Sequence, residues 1–221
     1  MKTVFDVTEL QQGDHVCLLH RAPTEQRDAL IAFIKEGMTR HERCVYIADE
    51  VLDPELKSLL AEGGLDLLRL RQEGSLQILN RYETFLRYAR FEPLLMLELL
   101  EQTLKRAMAS DYAGLRVIAD MSWALSVGCD QLITFEAMLN NYLPKWNITY
   151  LCQYNRSRFA SHIQVDVLRS HPIAILDGQV CPNVYYEHPG LMSGKDGAAG
   201  RVEWMAATLR ETRTLLKGCQ C

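Results

Sequence analysis

The stretch Gly13-Asp14-His15-Val16-Cys17-Leu18-Leu19-His20 reads as one buried β-strand, and the prediction of the fold starts from it. A loop at residues 21–26 follows, and then a helix with apolar residues at core spacing that ends near Arg40. In nucleotide-binding α/β proteins, such a strand, loop and helix hold a phosphate, which needs clustered glycines and a lysine followed by Ser or Thr. The connection here, His20-Arg21-Ala22-Pro23-Thr24-Glu25, has neither glycine nor lysine. The sequence therefore predicts the geometry of a nucleotide fold without its phosphate chemistry.

The composition is that of a globular protein, with 221 residues of which 48% are hydrophobic and 24% charged. The formal net charge of -4 argues against direct nucleic-acid binding, which needs a basic excess. No apolar run approaches the roughly 20 residues that span a bilayer, and residues 1–6 lack the apolar core of a secretory signal. Seven scattered cysteines favour reduced thiols. We therefore expect a cytoplasmic protein without a membrane partner.

Strands alternate with helices along most of the chain, and this pattern predicts an α/β fold. The predicted strands are residues 15–19, 44–48, 76–79, 115–120 and 148–152. The predicted helices are residues 25–40, 53–62, 93–110, 130–143, 161–170 and 201–217. Such alternation predicts a mainly parallel central sheet with helices on both faces, and Asp177-Gly178 predicts an antiparallel hairpin at one edge. We assign residues 1–190 to one domain and residues 191–221 to a glycine-rich linker and a C-terminal helix.

Six ordered motifs resemble one known family. They are Gly-Asp-His-Val-Cys at 13–17, Cys-Val-Tyr-Ile-Ala-Asp-Glu at 44–50, Gly-Leu-Arg-Val-Ile-Ala-Asp-Met-Ser-Trp-Ala at 114–124, Leu-Cys-Gln-Tyr-Asn-Arg-Ser-Arg-Phe at 151–159, Val-Leu-Arg-Ser-His-Pro at 167–172 and Asn-Val-Tyr-Tyr at 183–186. Together they resemble the MEDS domain, the methanogen/methylotroph DcmR-type sensory domain, over residues 10–188. The resemblance implies a RecA/KaiC-like fold that has lost its phosphate loop.

The resemblance also implies a function, because the family is regarded as a sensor of small organic molecules, hydrocarbon derivatives in particular. Its members occur in transcription regulators, beside histidine-kinase modules, and alone. This chain departs from the multidomain members, since we recognise no helix-turn-helix or kinase core after residue 190. The implied partners are a small organic ligand and a signalling protein such as a histidine kinase or a transcription or anti-sigma regulator. The last helix is a candidate surface for docking that protein or for homodimerisation.

The candidate ligand site follows from the fold, because parallel α/β sheets bind ligands at the carboxyl ends of their strands. In a RecA-like order, the first, fourth and fifth strands are central neighbours, so their ends would form one pocket for a small, partly apolar molecule. The candidate ligand-binding residues are Cys17, His20, Arg21, Tyr82, Asp120, Met121, Trp123, Cys152, Tyr154 and Arg156. Core packing explains Met121 and Trp123 equally well.

Other functions stay open at the level of sequence. Asp120 stands where an ATPase holds its magnesium, and Asp49-Glu50 stands where an ATPase places a catalytic acid. Both acids could act only on a bound nucleotide, so we expect no catalytic residue and no cofactor. The alternatives are a degenerate ATPase, a metal- or thiol-dependent enzyme, and a ligand-free interaction module. The candidate metal ligands are Cys17, His20, Cys152 and His171. No compact Cys-x-x-Cys element supports such a site, and buried cysteines are usually inert.

Overall fold

The computed structural model of the chain describes residues 6–49, 58, 60–88, 90–192 and 194–218. Seven strands form one sheet in the order β3-β2-β4-β5-β1-β6-β7, and all neighbours are parallel except the antiparallel pair β6-β7. The strands are β1 His15–His20, β2 Arg43–Ala48, β3 Leu76–Asn80, β4 Leu115–Asp120, β5 Ile148–Asn155, β6 Ile173–Leu176 and β7 Gln179–Pro182. The predicted α/β class, the central position of β5 between β4 and β1, and the edge hairpin are all confirmed.

Helices cover both faces of the sheet. They are α1 Pro23–Thr39, α2 Leu67–Gln72, α3 Pro93–Ala109, α4 Ala124–Val127, α5 Asp130–Tyr142, α6 Ser161–Ser170, α7 Pro189–Met192 and α8 Gly197–Gly218, with 3-10 turns at Met121–Trp123 and Leu143–Lys145. The helix predicted at 53–62 lies mostly outside the described residues. None of the helices in the described ranges is long and apolar enough to cross a membrane.

The sheet separates two apolar cores, because successive side chains of a strand point to opposite faces. On one side, which we call the α5 face, Cys17 of β1 and Cys152 of β5 pack among residues of α3, α5 and α6. On the other side, the α1 face, Val16 and Leu18 pack against α1 and α2. Residues next to each other in one strand therefore belong to different cores.

The segment that we expected to be a glycine-rich linker is partly helical. Helix α7 begins at Pro189, and α8 begins at Gly197 rather than at residue 201. The Asp196 side chain packs so closely against Gly190 and Gly200 that a Cβ atom at either position would collide with it. The glycines thus serve close packing here, which the sequence pattern alone does not distinguish from a flexible linker.

Helix α8 is attached to the rest of the fold through Glu187. This carboxylate accepts hydrogen bonds from Arg169 of α6, with Nε–Oε1 3.1 Å and Nη2–Oε2 2.9 Å, and lies 3.0 Å from Arg201 Nη1 of α8. The indole Nε1 of Trp204 donates to the carbonyl oxygen of Tyr186 at 2.7 Å. Two polar contacts therefore fix the first turns of α8.

Candidate functional site

The loop after β1 satisfies its own polar groups. The backbone N–H of Arg21 donates to Glu25 Oε2 at 2.9 Å. Ala22 precedes α1 and Pro23 opens it, so the helix begins two residues before the predicted residue 25. Proline has no N–H to offer a phosphate, and the Glu25 carboxylate already brings negative charge to the positive end of the helix dipole. This helix start is therefore unsuited to binding a phosphate.

Gln26, one residue further, links α1 to the ends of two central strands. Its Nε2 lies 3.2 Å from Asp120 Oδ2 and 3.3 Å from Gln153 Oε1, and Gln153 Nε2 donates to the Gln26 carbonyl oxygen at 3.2 Å. The other Asp120 oxygen accepts from the backbone N–H of Ser122 at 2.9 Å. Protein amides thus bind both oxygens of the acid that an ATPase would use to hold magnesium.

Three further polar residues lie at this edge of the sheet. Arg81 Nη1 lies 3.0 Å from Asp49 Oδ1. Burial raises the pKa of Asp49, the charge of Asp120 adds to this, and Arg81 opposes it. Burial also lowers the pKa of His20, whose Nδ1 has no hydrogen-bond partner within the described part of the chain. Glu50, the other predicted acid, lies outside the described residues.

The ten predicted ligand-binding residues do not share one pocket. Five of them are fully buried in the core of the α5 face: Cys17, Met121, Trp123, Cys152 and Tyr154. His20 and Asp120 are charge neighbours at the strand ends, and Arg21, Tyr82 and Arg156 are exposed. The sheet separates them because side chains alternate between faces, and because β5 continues to Asn155, so that Cys152 lies inside the strand. Their role in ligand binding stays a prediction.

Trp123 shows what the buried aromatic residues do. Its ring stacks on Phe85, with ring centroids 4.5 Å apart and planes at 14°, and its centroid lies 4.4 Å from that of Phe91. Its Nε1 has no hydrogen-bond partner among the residues that the structure describes. Such contacts are those of core packing.

The most concentrated chemistry of the described chain is a fully buried group that we call the Glu136 cluster, composed of His15 on β1, Glu136 on α5, Cys152 on β5 and His171 before β6. One ligand-type atom from each residue lies within 4.8 Å of the other three. Glu136 Oε2 lies 2.9 Å from His15 Nε2, 3.4 Å from His171 Nε2 and 3.5 Å from Cys152 Sγ. The Cys152 Sγ to His15 Nε2 distance is 3.7 Å.

The pKa values of several groups in and around the Glu136 cluster differ from their usual values. Burial would raise the pKa of Glu136, but the two histidines outweigh it and hold that pKa below its usual range. Burial raises the pKa of Cys152 and of Tyr154, whose hydroxyl donates to Glu136 Oε1, and the charge of Glu136 adds to both. Burial lowers the pKa of His15, as does the neighbouring His171. The carboxylate therefore carries the negative charge of the cluster.

Hydrogen bonds outside the cluster fix the orientation of both imidazoles. Asn140 Nδ2 donates to the carbonyl oxygens of Glu136 and Ser170, at 3.2 and 2.7 Å, so Asn140 Oδ1 is the acceptor that faces His15 Nδ1 at 3.0 Å. His171 Nδ1 lies 2.8 Å from the Val167 carbonyl oxygen. Each Nδ1 therefore carries a hydrogen, and each Nε2 points toward Glu136.

Sequence reasoning found this cluster only in part. Cys152 and His171 were among the candidate metal ligands, whereas His20 faces Asp120 at the strand end and Cys17 lies outside the group. Glu136 was missed. Its signal is a carboxylate within the apolar stripe of α5, where Leu132, Phe135 and Leu139 are buried. A charged residue at a core position needs a partner.

A separate cleft of about 530 Å³ lies between α5 and α7. It was not predicted, because helix α7 was not. Its walls are mainly apolar, and three of its residues carry polar side chains that can bind a ligand: Thr134, Asn141 and Lys195. The apolar part comprises Ile133, Ala137, Met138, Pro189, Gly190 and Met192.

Comparison with known proteins identifies the family of this chain. The sequence profile of the family described as "MEthanogen/methylotroph, DcmR Sensory domain" matches residues 14–172. The chain belongs to the MEDS family. The match begins one residue before His15 and ends just after His171, so all four residues of the Glu136 cluster lie inside the MEDS domain. The predicted family and its sensory, regulatory class are thereby confirmed.

Two known proteins resemble this chain, one in sequence and one in structure. The transcriptional repressor DcmR of Methylorubrum extorquens is 28% identical over 175 residues, which cover 77% of this chain and 62% of that protein. The chain thus matches less than two thirds of the length of this relative. A KaiC-like protein from Pyrococcus horikoshii superposes with a TM-score of 0.55 at 16% identity, covering 78% of this chain and 77% of that one. This likeness confirms the predicted KaiC-like fold.

Proposed function

We propose that this MEDS domain binds a small, mainly apolar organic molecule in the cleft between α5 and α7, and controls a regulatory protein through α8. The observation that carries the proposal is the position of the cleft. One wall is α5 of the sheet domain, and the other is α7 with Lys195, which leads directly into α8. A ligand that holds these walls together would therefore act on the helix that continues from one of them.

The chemistry of the cleft supports a small organic ligand. Its volume of about 530 Å³ lies in the range of small-molecule sites. Ile133, Met138 and Met192 offer apolar contact, while Asn141 and Lys195 offer hydrogen bonds to one polar end. This combination suits the hydrocarbon derivatives that the family resemblance implies.

The attachment of α8 supports a relay to a partner. Its first turns make the polar Arg201–Glu187 and Trp204–Tyr186 contacts, and Gly200 packs against Asp196. Val202, Met205 and Leu209 are 63%, 50% and 72% exposed and recur at helical spacing, so α8 presents an apolar stripe to a partner. A ligand can shift such an arrangement only if it binds one position of α8 better than the other.

Hydrolysis of ATP is the less favoured function. The Glu25 carboxylate lies at the start of α1, and Gln26 binds Asp120, so a triphosphate would meet negative charge and lose its metal-binding acid. The relative named as a transcriptional repressor favours a cytoplasmic regulator of transcription as the setting, with a kinase or anti-sigma component as other partners of the same kind. We therefore propose a sensor without catalytic activity.

The experiment titrates the purified chain with short-chain alcohols, aldehydes, carboxylic acids and halogenated alkanes, and follows binding by ligand-observed NMR. The test variant is Ala137→Trp, which fills the cleft, and the control is Ala109→Trp at the exposed end of α3. The proposal predicts a compound that binds the wild type and the control but not Ala137→Trp. The same compound should change hydrogen exchange in residues 197–218.

Two results would contradict the proposal. If binding survives Ala137→Trp and is lost in Arg156→Ala, the site lies at the strand ends that the sequence predicts. If no compound of these classes binds the wild type, the domain does not sense them, and the interaction module becomes the better reading.

A further inference from the structure

The Glu136 cluster brings four metal-ligand atoms around one buried point. Both Nδ1 atoms donate to fixed acceptors, so both Nε2 atoms point at Glu136 Oε2, from 2.9 and 3.4 Å. The buried carboxylate is compensated either by a proton on an imidazole Nε2 or by a metal ion between these atoms. His171 Nε2, fully buried, has no hydrogen-bond partner in the part of the chain that the structure covers.

We propose that His15 Nε2, Glu136 Oε2, Cys152 Sγ and His171 Nε2 bind one divalent transition-metal ion, of which Zn²⁺ fits best. Two imidazoles, a thiolate and a carboxylate are donors that zinc accepts, and four of them complete its tetrahedral shell. The proposal concerns a site separate from the α5–α7 cleft, and it is independent of the function proposed there.

The distances match a tetrahedral ion. With zinc bonds of about 2.0–2.3 Å, neighbouring ligand atoms lie roughly 3.3–3.6 Å apart. Four of the six pairs of ligand atoms are 2.9, 3.4, 3.5 and 3.7 Å apart, and the two others, from His171 Nε2 to His15 Nε2 and to Cys152 Sγ, are at most 4.8 Å. To admit the ion, the His15 Nε2 and Glu136 Oε2 atoms have to separate by about 0.4 Å. The other pairs lie within about 1.5 Å of the tetrahedral separations.

The charges also balance. One thiolate and one carboxylate neutralise the two charges of Zn²⁺, so the buried centre as a whole is neutral, and burial of an uncompensated charge is avoided. Binding releases the proton of the Cys152 thiol, and any proton on an imidazole Nε2, to solvent, where buffer accepts it.

The outer contacts resemble those around metal-binding histidines, which pass their second N–H to a fixed acceptor. Asn140 Oδ1 and the Val167 carbonyl oxygen are these acceptors, and Tyr154 holds the Glu136 oxygen that does not face the histidines. Because protein atoms fill all four positions and the site is buried, the ion is structural. It ties β1 and β5 at the centre of the sheet to α5 and to the residue before β6.

The test uses the full chain with Cys219 and Cys221 replaced by serine, because two thiols so close in sequence could bind metal themselves. Metal content is measured after purification without chelators, and Co²⁺ is then exchanged into the protein. We expect about one equivalent of metal for each chain, and a thiolate-to-Co²⁺ charge-transfer band with the intense d–d bands of tetrahedral cobalt. The matched pair of variants is Cys152→Ser and Cys17→Ser, two buried thiols at paired positions of β5 and β1.

The charge-transfer band should disappear in Cys152→Ser and persist in Cys17→Ser, and Tyr154→Phe should weaken metal affinity about 10–100-fold. A folded wild type that takes up no Zn²⁺ or Co²⁺ overturns the proposal, and so does a band unaffected by Cys152→Ser. X-ray absorption of the zinc-loaded wild type decides the matter even if Cys152→Ser fails to fold. One sulfur and three nitrogen or oxygen ligands support the site, and a shell without sulfur overturns it.

Discussion

Gln26 Nε2 lies 3.2 Å from Asp120 Oδ2, so the first turn of α1 is hydrogen-bonded to the end of β4, where an α/β ATPase would hold its nucleotide. We expect that MgATP and MgADP will not raise the melting temperature of the purified protein, since a ligand stabilises a fold only in proportion to its binding. Differential scanning fluorimetry over a range of nucleotide concentrations is the measurement. A stabilisation by MgATP that Asp120→Ala abolishes would instead favour the degenerate ATPase.

Arg116 and Glu42 form an ion pair that is almost completely buried. Arg116 Nε lies 2.6 Å from Glu42 Oε2, and the guanidinium lies 4.6 Å from the centroid of the Phe33 ring. Glu42→Ala would leave a buried cation without its partner, so we expect the free energy of unfolding to fall by about 3–5 kcal/mol. Urea denaturation at neutral pH measures it.

The control for this pair is Glu101→Ala, which removes an exposed partner of Lys105. Exposed pairs contribute about 0–1 kcal/mol, so this variant should be close to wild type. The double replacement Glu42→Gln with Arg116→Met should recover part of the loss, because it removes the unpaired charge. Equal effects of Glu42→Ala and Glu101→Ala would show that the buried pair does not stabilise the fold.

Glu187 should make the stability of the domain depend on pH. The hydrogen bond from Arg169 lowers the pKa of this carboxyl, burial opposes the change, and the Arg169 and Arg201 charges lower the pKa further. A folded-state pKa below the unfolded value of about 4.3 means that the unfolded chain binds more protons in the interval between them. The contribution is therefore complete above about pH 5 and is lost as the pH falls through the folded-state pKa.

The measurement compares the unfolding free energy of wild type and Glu187→Gln from neutral pH to about pH 3. The difference should be largest at neutral pH and should shrink in acid. A difference that stays constant or grows as the pH falls would show that the Arg169–Glu187–Arg201 contacts do not hold α8.

Replacing Trp123 tests whether the aromatic residues at the strand ends pack in the core or contact a ligand. Because its fully buried ring packs on Phe85 and Phe91, we expect Trp123→Ala to lower the free energy of unfolding by about 3–5 kcal/mol. Tyr82→Ala, at a ring that is 59% exposed, should change it by no more than about 0.5 kcal/mol. If Trp123→Ala keeps wild-type stability and loses a bound ligand, the contact predicted from sequence is the correct one.

Helix starts and the α8 region show where local patterns were insufficient. The helix predicted from residue 25 begins two residues earlier, because Pro23 fits the first helical position. The glycines at 190 and 200 look like a linker in sequence, yet they give Asp196 room to pack between helical segments. In both cases the local structure depends on a neighbouring residue that the sequence pattern leaves out.

The sequence by itself determined the alternation of strands and helices, the edge hairpin and the absence of phosphate-loop chemistry, because these depend on residues close together in the chain. The tertiary structure decided which polar groups meet. It joins Gln26 to Asp120, and His15 and Cys152 to Glu136 and His171, and it places the predicted Cys17 and His20 elsewhere. The physical reason is that such contacts depend on strand order, on the face to which each side chain points and on the helix packed above it, and none of these is a property of a local stretch.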